Sequence, residues 1–214
     1  WPRQYVENPY PKDEWTDIYA QAAKAILEGS GQQNGFCVIL GSEQGRLAYE
    51  LARRSSLRIY GVEPDAAKAL AARKALDRAG LHGSRITILH ADPNEMPVSN
   101  FFANLVVSDS LVRHGSMPVK NDGWTRIVKP CGGVICFAVP AEAARQHGLT
   151  QEKVTATLAG IGMEATQTKL QLFPEKDGLL ATLTRGKLPG AGEWSHQYGN
   201  VANTLTSDDH RLKG

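Results

Sequence analysis

The residues of this sequence best arranged for chemistry lie between positions 36 and 63, FCVILGSEQGRLAYELARRSSLRIYGVE. An apolar run at 36–40 meets the glycine loop Gly41-Ser42-Glu43-Gln44-Gly45. A helical pattern follows, and a second apolar run at 57–62 closes on Glu63. That order predicts a strand, a helix and a second parallel strand with an acid at its tip. Such a unit suits a nucleoside. Glycines let the backbone approach the ligand, and a carboxylate accepts hydrogen bonds from ribose hydroxyls.

The elements that must position these residues keep the same alternation. A helix capped by Thr16 or Asp17 is expected to run to about Leu27, with Ile18, Ala22, Ala25 and Ile26 on one face. A helix at 45–54 joins the first two strands, and Pro64-Asp65 opens another over 65–79, stopped by Gly80. Further strands are expected at 85–90, 101–107 and 132–139, the fourth of them continuously apolar as a buried parallel strand is. A short helix at 120–128 puts Trp124, Ile127 and Val128 in the core, and one or two helices fill 141–160. Only 174–178 separates the last strand-like runs, 166–173 and 179–184. That is too short for a crossover helix, so these two form an antiparallel hairpin. The fold class is α/β and Rossmann-like: a mostly parallel seven-stranded sheet, helices on both faces, and a C-terminal antiparallel β-hairpin. Residues 1–15, rich in aromatics and proline, read as an N-terminal strap, 16–185 as the domain, and 186–214 as an extended tail or linker towards a following domain.

Composition narrows the function classes. The 214 residues suffice for one sizeable core, and a formal net charge of +2 implies no field suited to a polyanion. The Arg53-Arg54 pair reads as a solvated helix end. Cys37, Cys131 and Cys136 are too few and too oddly spaced for a zinc site; Cys37 and Cys136 are expected to be buried. No stretch reaches the roughly 18 apolar residues of a membrane span, and no signal peptide is visible. The chain begins at Trp1, which suggests a piece of a longer protein. The compartment is cytoplasmic by default, and any targeting signal could lie outside the sequence.

A dinucleotide fingerprint, G-x-G-x-x-G counted from Gly41, fails at Glu43 and Arg46. The chain instead resembles class I S-adenosylmethionine-dependent methyltransferases, whose loop is written D/E-x-G-x-G-x-G; Gly41 and Gly45 match its first and third glycines. His90-Ala91-Asp92-Pro93, the run at 105–109 ending in Ser108-Asp109, and the turn at 127–134 resemble later motifs of that family in the right order. The resemblance implies a Rossmann-like methyltransferase fold over about 16–185, with S-adenosylmethionine as cofactor and S-adenosylhomocysteine as product. It implies cofactor contacts at Gly41, Ser42, Glu43, Gly45, Glu63, Pro64, Ala91, Asp92, Pro93, Ser108 and Asp109. Among these, Glu63 would take the ribose hydroxyls, Asp92 the adenine amino group, and Ser108 and Asp109 the methionine end. Two positions depart from the pattern. Ile39 stands where the family has an acid, and Glu43 replaces the middle glycine. Glu43 has three readings: a solvated loop residue, a substitute negative charge for the cofactor's ammonium or sulfonium, or a side chain that crowds the site. The tail at 188–209 resembles the start of a pyrroloquinoline-quinone-type β-propeller of a larger bacterial, planctomycete-like protein. That implies an adjacent propeller domain in the same chain.

Three functions compete. The first is methyl transfer from S-adenosylmethionine to an unidentified small-molecule or protein acceptor. The second is a catalytically degenerate domain of the same fold, serving as a nucleoside-binding or scaffold module. The third, a nicotinamide-dependent oxidoreductase, is opposed by the broken fingerprint and the terminal hairpin. Nucleic acid is disfavoured as acceptor, because the Asn/Asp-Pro-Pro-Tyr/Phe motif and a correctly placed Pro-Cys nucleophile are both missing. No catalytic residue and no metal site are assigned. His114 is the one histidine expected near the loop after the fourth strand; His90 is expected to pack. Tyr5, Tyr10 and Trp15 read as strap packing or as a lid.

Overall fold

A parallel strand covered on both faces buries every side chain, so the continuous apolar runs become the inner strands of one sheet. In a computed structural model describing residues 5–117, 123–163, 168–172, 178–192 and 209–211, β1 (Phe36–Leu40), β4 (Leu105–Ser108) and β5 (Val134–Pro140) are buried almost throughout. With β2 (Arg58–Glu63), β3 (Ile86–His90), β6 (Lys169–Leu172) and β7 (Gly178–Thr184) they form a seven-stranded sheet in the order β3-β2-β1-β4-β5-β7-β6. The first five strands are parallel. β7 is antiparallel to both β5 and β6, so the predicted hairpin is present, with its second strand inserted beside β5. β1 pairs with β2 on one side and β4 on the other. The strand order therefore reverses at β1, and a crevice at the carboxyl ends of β1 and β4 is where an open α/β sheet takes its ligand.

Helices cover the two faces. α1 (Trp15–Ser30) buries Ile18, Tyr19, Ala22, Ala23, Ile26 and Leu27 at helical spacing and packs on β5, β7 and α2 (Arg46–Arg54). It begins before the expected cap. Asp13 does the capping, accepting the Trp15 N–H on Oδ1 and the Thr16 N–H on its carbonyl. α3 (Ala66–Arg78) starts after Asp65, whose side chain accepts the Lys68 N–H. α4 (Asp109–His114), a 3₁₀ turn at Gly123–Ile127, α5 (Ala141–His147) and α6 (Gln151–Ala159) follow. Trp124, Ile127 and Val128 are in the core, as are Cys37 and Cys136.

Two boundaries differ from the sequence reading. The fourth strand begins at Leu105, not 101. Phe101 has a φ of 61° and donates its N–H to the Arg126 carbonyl, and Ala103 bonds the Ile127 carbonyl and the Lys129 N–H, so this apolar stretch is fixed as a loop. The segment after β4 opens as α4 rather than as a loop. Ser108 caps it by accepting the Leu111 N–H, and six residues are too few for a periodic pattern to reveal a helix.

The strap packs on the domain. Tyr10 meets Tyr49 edge-on and donates its hydroxyl to the Gln44 carbonyl; Arg46 makes paired bonds to the Asp13 carboxylate; Arg78 donates to the Pro9 carbonyl. Most of the propeller-like tail, 193–208, lies outside the described residues. Among the described residues no helix is long and apolar enough to cross a membrane.

Gly61 in β2 is where the glycine loop rests on the sheet. A Cβ there would lie 2.7 Å from both the Ser42 Cβ and the Ile88 Cδ1. Overpacking of this kind costs about 1–3 kcal/mol. Gly61→Ala is therefore expected to lower the melting temperature by several degrees, with part of the loss recovered in the Gly61→Ala/Ser42→Gly double variant. Equal melting temperatures for wild type and Gly61→Ala would show that the loop does not bear on the strand.

Candidate functional site

The candidates on β1, β2 and β4 meet at the carboxyl ends of those strands. Gly41 and Gly45 have φ of 61° and 82°, and between them the loop turns back on itself through a Gly45 N–H bond to the Ser42 carbonyl. The Ser42 N–H reaches the Val62 carbonyl at 3.1 Å and stitches the loop to β2. A Cβ on Gly45 would stand 3.1 Å from the Tyr10 hydroxyl and from Leu76, so the strap and α3 close on the loop at that point.

Glu63 ends β2 and is only 2% exposed. Its Oε2 accepts the Glu43 N–H at 2.6 Å and its Oε1 accepts the Asp65 N–H at 3.1 Å. Burial pushes its pKa up, and the two backbone donors oppose that shift. A carboxylate has about four lone-pair positions, so these two bonds leave capacity for two hydroxyl donors.

Glu43 has a φ of 49° and is 8% exposed, so it is not the solvated loop residue of one reading. Its carboxylate spans the strand ends. Oε2 meets the Lys68 ammonium at 2.7 Å, and Oε1 meets His114 Nε2 at 3.1 Å and the Ser110 hydroxyl at 3.2 Å. The Lys68 ammonium is held charged by that bond, which pushes its pKa up. Ile39, at the position of the family's strand acid, is fully buried core.

On the β4 side, Ser108 donates to the Leu40 carbonyl. Asp109 is fully buried and accepts the Tyr19 hydroxyl on Oδ1 at 2.7 Å. The Leu47 N–H faces the carboxyl group and opposes the rise in its pKa; among the described residues Oδ2 has no hydrogen-bond partner, and neither does the buried Ser42 hydroxyl. Burial pushes the Asp109 pKa well up, and the nearby Glu43 and Glu63 charges add to it.

The β3 end is different. The Ala91 N–H joins the Glu63 carbonyl, Pro93 is buried, and Pro64 is exposed. Asp92 is exposed and folds its own turn by accepting the Asn94 N–H and side-chain amide. His90 does not pack into the core: it is exposed, with Nε2 3.1 Å from the Pro64 carbonyl. The structure thus draws Gly41, Ser42, Glu43, Gly45, Glu63, Ser108 and Asp109 together and leaves Asp92 at the rim. Sequence reasoning missed Lys68 and Tyr19. Both sit on helices where periodicity marks only surface or core, and only the three-dimensional pairing with Glu43 and Asp109 singles them out. Among the described residues no group of His, Cys, Asp and Glu is arranged to hold a metal ion.

No protein-family model matches the chain, and no curated protein matches its sequence. Solved structures do resemble it in shape. A candidate S-adenosyl-L-methionine-dependent methyltransferase from Methanococcus maripaludis superposes with a TM-score of 0.62 at 23% identity, over 81% of this chain and 87% of that one. The [4+2]-cyclase SpnF superposes at 0.61 and 14% identity, over 87% and 88% of the two chains. A S-adenosylmethionine-dependent methyltransferase from Aquifex aeolicus gives 0.57 and 11%, over 81% and 98%. These likenesses establish the Rossmann-like fold of the class I methyltransferases.

Asp109 supplies a pH signature. A carboxyl whose folded pKa is raised contributes stability below its unfolded pKa and loses it as pH rises towards the folded value. Asp109→Asn keeps an acceptor for Tyr19 and removes the ionisable group. The variant is expected to melt at least ~2 °C above wild type at pH 7.5, a shift that ~1 kcal/mol produces in a chain of this size, with the gap shrinking at pH 4. A gap independent of pH, or a variant less stable at pH 7.5, would mean that Asp109 is not held as the neutral acid.

Proposed function

We propose that this chain binds S-adenosylmethionine at the carboxyl ends of β1, β2 and β4 and transfers its methyl group to a small-molecule or protein acceptor. The observation that carries this reading is the Glu63 carboxylate at the tip of β2, tied to the glycine loop through the Glu43 N–H at the point where the strand order reverses. The residues present suit such a ligand. Glu63 retains lone pairs for ribose hydroxyls, Gly41 and Gly45 permit close backbone approach, and Ser42 and Asp109 each offer a buried oxygen with no partner among the described residues. Asp92 at the end of β3 would take the adenine amino group, with Pro64, Ala91 and Pro93 around it, and Ser108 and Asp109 would lie towards the methionine end.

When bound, the cofactor supplies a methyl group already activated on a sulfonium. The chain's part is then to hold the acceptor in line and to keep water out. The strap contributes to the second task, since Tyr10 closes on the loop at Gln44 and Gly45. Residues 16–185 form the proposed binding unit, with 1–15 as its strap and 186–214 as a connection onward.

A second reading rests on its own observation. The Glu43 side chain lies across the strand ends, bound to Lys68 on one flank and His114 on the other, which suits a closed, non-catalytic scaffold.

Calorimetric titration with S-adenosylmethionine and S-adenosylhomocysteine separates the readings. The first requires micromolar-range dissociation constants, weakened at least about tenfold in Glu63→Ala with the fold retained by circular dichroism, two hydroxyl bonds being lost. Absence of binding by a folded wild-type chain would sink it in favour of the scaffold. Release of a labelled methyl group to any acceptor would exclude the scaffold.

A further inference from the structure

Glu43 occupies a loop position whose backbone is left-handed, a conformation that favours glycine, and its side chain is nonetheless buried. The carboxylate belongs to the loop after β1. Its partners come from both flanks: Lys68 from the first turn of α3, after β2, and Ser110 and His114 from α4, after β4. The Glu43 charge acts on both Glu63 and Asp109, so a nucleoside lodged between those two acids would meet the bridge to Lys68 and His114. Glu63 and Asp109 are both buried, and Asp109 Oδ2 has no hydrogen-bond partner among the described residues. A carboxylate stripped of the Lys68 ammonium in such surroundings is strongly disfavoured.

We propose that Glu43 is the specificity-determining residue of this site and works by exchange of cations. A nucleoside carrying a positive group enters by placing that group on the Glu43 carboxylate in place of Lys68 and His114. A nucleoside without one is rejected, because its entry leaves the carboxylate without a countercharge among two other acids, with only the Ser110 hydroxyl still bound to it. The positive group is an ammonium or a sulfonium, and the choice of ligands tells them apart. This inference rests on the cofactor reading above and deepens it: the residue that breaks the glycine pattern takes the role of a ligand-selecting charge.

The test is calorimetric titration of wild type, Glu43→Gln and Lys68→Met with three probes. S-adenosylmethionine carries both positive groups, S-adenosylhomocysteine only the ammonium, and 5′-methylthioadenosine neither. Wild type should prefer S-adenosylmethionine to 5′-methylthioadenosine by at least about tenfold, as one charge-assisted contact provides. Glu43→Gln should bring that ratio within about threefold by weakening the charged ligand rather than the neutral one. Lys68→Met, which removes the resident cation, should tighten S-adenosylmethionine. Retained preference for S-adenosylhomocysteine over 5′-methylthioadenosine assigns the ammonium; preference for S-adenosylmethionine alone assigns the sulfonium. A purely structural role for Glu43 would move all three ligands together, and an unchanged ratio in Glu43→Gln overturns the exchange while leaving the cofactor reading intact. So does weaker S-adenosylmethionine binding in Lys68→Met. Failure of every probe to bind folded wild type and variants overturns both.

Discussion

The Glu63 carboxylate, held between the N–H of Glu43 and the N–H of Asp65, fixes the geometry on which the strand ends depend. One bond reaches back to the loop after β1 and the other forward to the start of α3. The acid therefore sets the path of the loop and the direction of the helix together. It also compensates a local cost. A non-glycine residue in the left-handed region is disfavoured by roughly 1–2 kcal/mol, and Glu43 adopts that conformation. A short charge-assisted bond from its N–H to Glu63 is worth a comparable amount. The strained backbone and the acid that receives it form one feature.

The same loop is gripped from its other side by the strap. Tyr10 takes the Gln44 carbonyl and lies under the Arg46 guanidinium, while that guanidinium also binds the Asp13 carboxylate. Arg46 is the first residue of α2. The strap thus pins the junction of loop and helix without contributing a regular element. An N-terminal segment of this kind stabilises a ligand loop by ordering it beforehand, which reduces the entropy that a ligand would otherwise have to remove.

How much of this was legible in the sequence depends on the physical signal each part leaves. β1 and β5 announce themselves as continuous apolar runs, and the terminal hairpin follows from five residues too few to cross a sheet. Glu63 stands out because an acid closes an apolar strand, while its bonds to the Glu43 and Asp65 N–H groups leave no trace in the sequence. The error at Phe101 has a specific cause: 101–103 is apolar enough for a strand, and backbone bonds to Arg126, Ile127 and Lys129, distant in sequence, hold it as a loop. α4 is too short to have a period. The Glu43 bridge left the weakest trace. A missing glycine marks the position, but the partners Lys68 and His114 come from separate helices, and no local pattern joins them.

The fold does not by itself decide the chemistry, since a chain named as a [4+2]-cyclase shares it as closely as one named as a methyltransferase. The decision falls to the residues at the strand ends, and several of these are coupled to Glu43. His114 lies after β4, where a proton acceptor would be useful, yet its Nε2 is bound to the Glu43 carboxylate. Tyr19 is committed to Asp109. In the closed arrangement the strand ends therefore hold their polar groups for one another. Displacing Glu43 from His114 would free an exposed imidazole at the same moment that the site receives its ligand. The bridge would then be compatible with an active site rather than a sign of its loss, because the step that admits the ligand is the step that parts His114 from Glu43.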